Sequence, residues 1–301
     1  MSNNKKNRIL PIIDAHHHFW NLSMMKHPWL CQKPLIRFRY GDYSKICKNF
    51  LVKNYKHVSK NQNVVKTVHM EAEWVKSNPV QETIWLHKVF DKFNFPNAIV
   101  AQAWIHESEI ESILQHHTQY PLVRSIRQKP NYDDKSKEIV RLDDKSFRKG
   151  YKFLSKYNLH YDLQIPWEHL SHATNLAKDF PDTTIILNHT GLPYDRSEHG
   201  ILKWKENLTE FSMQKNTALK ISGIGVPNQK WNLKNNGDII KTAINIFGVE
   251  RCMFASNFPV DSLCATFDEI FDTFKEVTNS FKYDDKKKLF HDNALKYYKP
   301  E

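Results

Sequence analysis

Two histidines separated by one residue are the sharpest candidates for chemistry in this sequence. His16 and His18 lie at the end of an apolar run that starts at Ile9, with His17 between them. If the run is a strand, alternate side chains share a side, so His16 and His18 point inward together and His17 points away. Two such imidazoles can bind one divalent metal ion, or polarise a substrate without a metal. Asp14 has the same parity, and we expect it to point inward and orient an imidazole.

Other polar side chains end further apolar runs. His189 closes such a run and is followed by a Gly-Leu-Pro turn. Arg124 and Arg127 stand at odd spacing and cannot both face inward. Arg127, nearer the end of its run, is the better clamp for a carbonyl or a carboxylate. The remaining candidates for contact with substrate or water, each of which also fits a purely structural role, are Glu71, Gln164, Asn257 and Trp29.

These side chains would meet if the runs are strands of one sheet. Eight β-rich runs alternate with longer helical segments, and most runs are nearly continuously apolar, as in parallel strands buried on both faces. The alternation predicts a (β/α)8 TIM barrel or a doubly wound sheet. The predicted strands are Ile9–His17, Val64–Glu71, Ala98–Ile105, Leu122–Arg127, Leu159–Ile165, Thr183–His189, Ala218–Ile224 and Arg251–Asn257.

The barrel is favoured over the doubly wound sheet. A barrel gathers the polar strand ends on one rim, where its active site lies, and a single domain over residues 1–301 has a suitable length. No Gly-rich phosphate loop follows the first run, which argues against a dinucleotide-binding sheet. The predicted helices are Val80–Phe95, Ser108–Gln119, Lys145–Tyr157, Trp167–Phe180, Ile201–Lys215, Asp238–Phe247, Ser262–Ser280 and Asp284–Tyr298.

The composition excludes several classes of protein. The 301 residues are 40% hydrophobic, with 8 Gly and 13 Pro, which rules out a disordered, collagen-like or low-complexity chain. The apolar runs are too short to span a membrane, and Met1–Arg8 is not followed by the apolar segment of a secretory signal. Four cysteines without a CxxC pair are typical of reduced thiols, so we expect a cytoplasmic location.

The charge balance is basic. Lys plus Arg is 44 and Asp plus Glu is 33, which gives a net charge of +11. Because the lysines are scattered among helical segments, they predict a solvated surface and no nucleic-acid face. A positive field would nevertheless attract an anionic small-molecule substrate.

Eight short motifs occur in order along nearly the whole chain. They are Ile13-Asp14-Ala15-His16-His17-His18-Phe19-Trp20, His27-Pro28-Trp29-Leu30, Val68-His69-Met70-Glu71-Ala72, Arg124-Ser125-Ile126-Arg127-Gln128, Tyr161-Asp162-Leu163-Gln164, Asn188-His189-Thr190-Gly191-Leu192-Pro193, Lys220-Ile221-Ser222-Gly223 and Ser256-Asn257-Phe258-Pro259-Val260. Together they resemble the amidohydrolase superfamily, and within it the amidohydrolase-related barrel hydrolases that include sugar-acid lactonases and pyrone-dicarboxylate lactonase.

The resemblance implies a barrel that hydrolyses a small carbonyl compound, most simply a lactone with an anionic or sugar-acid character. By motif position, His16, His18 and His189 match the family's polar centre. They would act as ligands of a divalent metal, with zinc the first choice, or as direct hydrogen-bond donors in a metal-independent enzyme. Arg127 matches the arginine near the substrate's carbonyl or carboxylate. The oligomeric state stays open.

The chain departs from the family after the eighth run. The family usually has Ser-Asp-Trp-Pro, whose Asp is the expected base for water, whereas this chain has Asn257, and an amide cannot take a proton at neutral pH. His189 or Asp261 could replace the base, or a metal could lower the pKa of water. A metal-dependent decarboxylase and a catalytically silent ligand-binding barrel are the alternatives to a lactonase.

Overall fold

A closed sheet of parallel strands forms the centre of the molecule. The computed structural model describes residues 9–129 and 142–301, and within these ranges eight parallel strands pair in chain order. All eight predicted strands are confirmed, with shorter bounds. They are β1 Ile12–His17, β2 Val64–Met70, β3 Ala98–Gln102, β4 Val123–Arg127, β5 His160–Leu163, β6 Ile185–Leu187, β7 Thr217–Ile221 and β8 Cys252–Phe254.

Hydrogen bonds between the first and last strand ends close the sheet. The Asn257 amide N–H donates to the His16 carbonyl at 2.8 Å, and the His18 amide N–H donates to the Phe258 carbonyl at 2.7 Å. The helices lie between successive strands, so the predicted (β/α)8 TIM barrel is confirmed.

All eight predicted helices are present with shifted ends, the last of them as two separate helices, and two short helices before β2 were not predicted. The helices are α1 Pro28–Cys31, α2 Val52–Val58, α3 Val80–Phe93, α4 Ile110–His117, α5 Lys145–Lys156, α6 Leu170–Asp179, α7 Glu198–Ser212, α8 Leu233–Phe247, α9 Phe267–Val277, α10 Tyr283–Lys287 and α11 Asn293–Tyr298. Helix α8 starts earlier than predicted because the Asn232 side chain caps it by accepting from the Asn235 amide. The predicted last helix is divided by a π-helical turn, Lys288–Asp292.

Two apolar layers hold the barrel together. The outer layer packs the sheet against the helices and contains most of the buried aromatic side chains. The inner layer fills the barrel with small and branched side chains, and Tyr298 of α11 joins it. The inner residues are Ile13, Ala15, Val68, Met70, Ala98, Val100, Ile186, Ala218, Met253 and Ala255. Because this interior is filled, chemistry is confined to the rim.

A β-bulge in β1 corrects the prediction for Asp14. Asp14 pairs with Thr67 and His17 pairs with His69, so β1 uses one residue more than β2 over this stretch. The extra residue reverses the alternation, and Asp14 therefore does not share a side with His16. It accepts hydrogen bonds from the Tyr55 hydroxyl at 2.8 Å, outside the barrel, and from Ser256. The expectation that Asp14 points inward is wrong.

Other sequence predictions concern the chain as a whole. No helix within residues 9–129 and 142–301 is long and apolar enough to cross a membrane. All four cysteines are free thiols. Met1–Arg8, which the targeting prediction concerned, lies outside the described residues. The single domain over residues 1–301 and the cytoplasmic location stay predictions.

Buried His117 of α4 should make folding stability depend on pH. It bridges the Thr83 hydroxyl and the Gln102 carbonyl, and burial lowers its pKa from 6.5 to about 4. Between these two pH values the unfolded chain binds a proton at His117 and the folded chain does not. The free energy of unfolding therefore decreases as the pH falls from 6.5 to about 4, by up to about 3 kcal/mol. We expect His117→Gln to remove this part of the pH dependence in urea unfolding.

The neighbouring His116 provides the control. It is exposed on the same helix and is the smallest of the causes that shift the pKa of His117, so His116→Gln should retain most of the pH dependence of the wild type. Equal slopes of unfolding free energy against pH in the wild type and His117→Gln would contradict the assignment.

Candidate active site

Seven of the predicted site residues line one cavity at the carboxyl end of the barrel. Its volume is about 410 Å³, a size that suits a small molecule. Two predicted residues, His16 and Asp261, lie behind its wall and do not line it. The predicted residues that line the cavity are His18, Trp29, Glu71, Arg127, Gln164, His189 and Asn257.

Three imidazoles form a cluster at this wall. The His16 ring centroid lies 5.1 Å from that of His18 and 4.6 Å from that of His189. His16 is fully buried, and neither ring nitrogen has a hydrogen-bond partner in the described residues. Burial, with the nearby His189 and the charge of Lys220, lowers the pKa of His16 well below its usual value. The ring is therefore neutral at physiological pH.

His18 is held in one tautomer. Its Nδ1 lies 2.9 Å from the Met70 carbonyl, which can only accept, so Nδ1 carries the proton. Burial, followed by the charges of Arg127 and Lys129, lowers the pKa of His18 well below its usual value. In the neutral ring the other nitrogen, Nε2, is then a lone-pair acceptor. The backbone thus gives the cavity an imidazole that can take a proton.

His189 follows β6 in a left-handed backbone conformation, with a φ of 54°. Its Nδ1 lies 2.9 Å from the Ser222 hydroxyl, which can donate or accept, so either tautomer is compatible. Burial lowers its pKa, and Arg39 and Arg127 add to the effect. His189 can act as a neutral donor or acceptor.

Asn257 is oriented by the carboxylate behind it. Its Nδ2 donates to Asp261 Oδ1 at 2.7 Å, and the Tyr40 hydroxyl donates to the same oxygen at 2.9 Å. The amide nitrogen is thereby committed to Asp261, which leaves Asn257 Oδ1 as an acceptor. Burial raises the pKa of Asp261. Asp261 therefore positions Asn257 from behind and has no face on the cavity.

Arg127 is largely occupied by protein groups. Its Nε donates to Glu71 Oε1 at 2.6 Å, its Nη2 donates to the Glu71 carbonyl at 2.7 Å, and its Nη1 donates to Gln164 Oε1 at 3.1 Å. Two of its five N–H donors are left over. Glu71 and Gln164 thus act first as partners of Arg127. Arg124, at odd spacing, instead pairs with Glu301 at 3.1 Å.

Sequence reasoning missed three cations that line the cavity. Arg37 and Arg39 lie in the long loop after β1, and Lys129 follows Arg127 at even spacing. Two patterns in the sequence could have indicated these cations. Arg37 and Arg39 alternate with Phe38 before Tyr40, and Lys129 would lie on the same side of the strand as Arg127. With Arg127 the cavity has four cationic side chains against two acidic ones, Glu71 and Glu73. Its lining therefore favours an anion.

A metal ion does not fit this arrangement well. In the described part of the chain, no three His, Cys, Asp or Glu side chains converge closely enough to hold one. The orphaned nitrogens of His16 are suitable donors, but Asn257 supplies no carboxylate and the cations around the cavity would repel a divalent ion. The groups placed to act on a substrate are therefore the protein's own side chains.

The chain belongs to the amidohydrolase family, whose model matches residues 13–299. The uncharacterized protein y4mH of Sinorhizobium fredii is 39% identical over 297 residues, which cover 96% of this chain and 99% of y4mH. An L-fucono-1,5-lactonase of Burkholderia ambifaria is 23% identical over 260 residues, covering 85% of this chain and 82% of the lactonase.

Solved structures share the fold. The crystal structure of an amidohydrolase from Burkholderia multivorans with bound zinc superposes with a TM-score of 0.81 at 18% identity, covering 96% of this chain and 99% of that one. At this identity the likeness establishes the barrel, and the zinc is a property of that protein.

Gly223 should be required for the position of His189. A Cβ at Gly223 would lie 2.4 Å from His189 Nδ1, and its φ of +59° strains any other residue. In Gly223→Ala the free energy of unfolding, measured with urea, should decrease by about 1–2 kcal/mol because of backbone strain and by about 1–3 kcal/mol because of the clash. The His189 ring nitrogen resonances should also shift.

Gly41 is the matched control. Its φ is +75°, and a Cβ there would meet no atom within 4 Å, so Gly41→Ala should show the strain without the clash. Equal losses in the two variants would mean that Gly223 does not make room for His189.

Proposed function

We propose that this protein hydrolyses an anionic cyclic ester by direct attack of water, without a metal ion. The observation that carries the proposal is a pair of acceptors, His18 Nε2 and the Asn257 amide oxygen, in a cavity whose charged lining residues are four cations and two carboxylates. The family and the L-fucono-1,5-lactonase relative support ester chemistry in general.

The two acceptors suit one water molecule. Water has two O–H donors, and both would be used if it donated to His18 Nε2 and to Asn257 Oδ1. The ends of β1 and β8, which carry these residues, are joined by the hydrogen bonds that close the barrel. A water held in this way has a lone pair free for a carbonyl carbon in the cavity. Asn257 would then position the water, and His18 would take its proton.

The cations would stabilise the charge that the attack creates. As the water oxygen bonds to the carbonyl carbon, the carbonyl oxygen becomes negative. The remaining N–H groups of Arg127 can approach it, as can the ammonium of Lys129, which also pairs with Glu73. His189 offers a further donor or acceptor on the same wall. When the ring C–O bond breaks, protonated His18 returns its proton to the leaving alkoxide, so the products are a hydroxy acid and the neutral base.

A panel of lactones tests the reaction class. We expect acid release from anionic lactones, with activity that resists chelator treatment and far less than one equivalent of tightly bound metal. Loss of carbon dioxide from aromatic acids would instead support the decarboxylase alternative. Tight binding of acids without any turnover would support the silent barrel.

Replacement of the proposed base should reduce kcat. In His18→Asn the side-chain amide can still donate toward the Met70 carbonyl, while the Nε2 acceptor is removed. We expect kcat to fall by about 10²–10⁴-fold with little change in KM. His57→Asn, at an exposed histidine of α2, should behave as the wild type. Unchanged turnover in His18→Asn would contradict the role of His18.

An exchange of the amide and the carboxylate tests the role of Asn257. The double variant Asn257→Asp, Asp261→Asn places a carboxylate at the cavity with an amide behind it. We expect kcat of the double variant to equal or exceed that of the wild type. Further replacement of His18 should lower kcat less than it does in the wild type, because a second base is present. Asn257→Asp alone puts two carboxylates in contact, which raises the pKa of one of them. A folded but inactive double variant would contradict this prediction.

A further inference from the structure

A second cavity lies beside the catalytic one and has a different chemical character. Its volume is about 380 Å³, and it shares Arg39 and Leu192 with the catalytic cavity. We call it the apolar annex, defined by the side chains that form its walls. They are Tyr40, Pro166, Pro193, Tyr194, Ile224, Val226 and Pro227.

The annex is part of the same rim as the catalytic cavity. Pro166, Pro193 and Ile224 follow the carboxyl ends of β5, β6 and β7, where barrel enzymes bind substrate. Leu192 directly follows the turn that carries His189, and it borders both cavities. A molecule whose ester lies near His189 can therefore extend into the annex past Leu192.

The walls of the annex offer little to a polar group. Of its lining residues, all of which are described, only Arg39 has a charged side chain. The Arg39 guanidinium donates to the Gly223 carbonyl at 2.8 Å, lies 3.8 Å from Asp261 and stacks on Tyr40. Because these contacts anchor the cation at the boundary, the remaining wall is apolar. A hydroxyl buried there would lose its water without a replacement partner.

We propose that the substrate carries an alkyl or aryl substituent that occupies the apolar annex, while its anionic ring lies in the catalytic cavity. This rests on the proposed function, and it makes polyhydroxylated sugar lactones poor substrates. Each methylene buried in an apolar site is worth about 0.8 kcal/mol, which corresponds to about a fourfold gain in kcat/KM. The gain ends when the annex is full.

A homologous series of lactones with one ring and lengthening n-alkyl chains tests the inference. In the wild type, kcat/KM should rise about fourfold per methylene over the first members of the series. Val226→Trp fills the annex and should abolish this rise, with kcat/KM of the unsubstituted lactone in the same variant as the reference for the series. Val226→Asp is a second variant, which adds a charge without filling the space. It should lower kcat/KM for the lactones with long alkyl chains. A sugar lactone of the same ring size should be turned over more slowly than the alkyl series.

Val65→Trp is the matched control. Val65 is an exposed valine of β2 that lines neither cavity, so this variant should retain the dependence on chain length. No dependence on chain length in the wild type, or loss of the dependence in Val65→Trp as well, would overturn the annex.

A binding measurement separates the annex from the reaction. The corresponding hydroxy acids, titrated into the wild type and Val226→Trp by calorimetry, require no turnover. Affinity that grows with chain length only in the wild type would support the annex even if no lactone were hydrolysed, in which case the proposed reaction alone would fail. If lactones were hydrolysed but neither affinity nor kcat/KM changed with chain length, the annex proposal would be wrong and the proposed reaction would be retained.

Discussion

The backbone hydrogen bonds that close the barrel are the constraint on which the site depends. They join the His16 carbonyl to the Asn257 amide and the His18 amide to the Phe258 carbonyl, and so tie the first strand end to the last. The bulge in β1 adds one residue before this seam and turns His16 toward the imidazole cluster. Without closure, His18 and Asn257 would be far apart in space as well as in sequence.

Burial determines the protonation state of the cluster. Imidazoles removed from water and surrounded by cations lose their protons, so His16, His18 and His189 stay neutral in a positively charged cavity. Neutral rings and cations have complementary uses, because the rings can exchange protons while the cations stabilise an anion. Arg127 pairs with Glu71 at 2.6 Å and Lys129 pairs with Glu73, so Arg37 and Arg39 supply the excess positive charge of the cavity lining.

The rim combines two environments within a short distance. One cavity presents cations, imidazoles and an amide, and the adjoining annex presents proline, aliphatic and tyrosine side chains. Arg39 separates them, anchored by Gly223 and facing Asp261. A ligand with one anionic and one apolar end matches this division. Its anionic end would lie among cations and its apolar end among apolar side chains, so neither end is buried in unfavourable surroundings.

Apolar periodicity and strand-end polarity are local signals, and they were sufficient to predict the barrel, the order of its strands and seven of the sixteen residues that line the cavity. The sequence could not determine the side on which Asp14 lies, since the bulge depends on pairing with β2. Nor could it reveal that Glu71 and Gln164 occupy Arg127, that Asp261 stands behind Asn257, or that Met70 fixes the tautomer of His18. These contacts join residues that are distant in the chain, so they form only when the folded barrel brings its strand ends together.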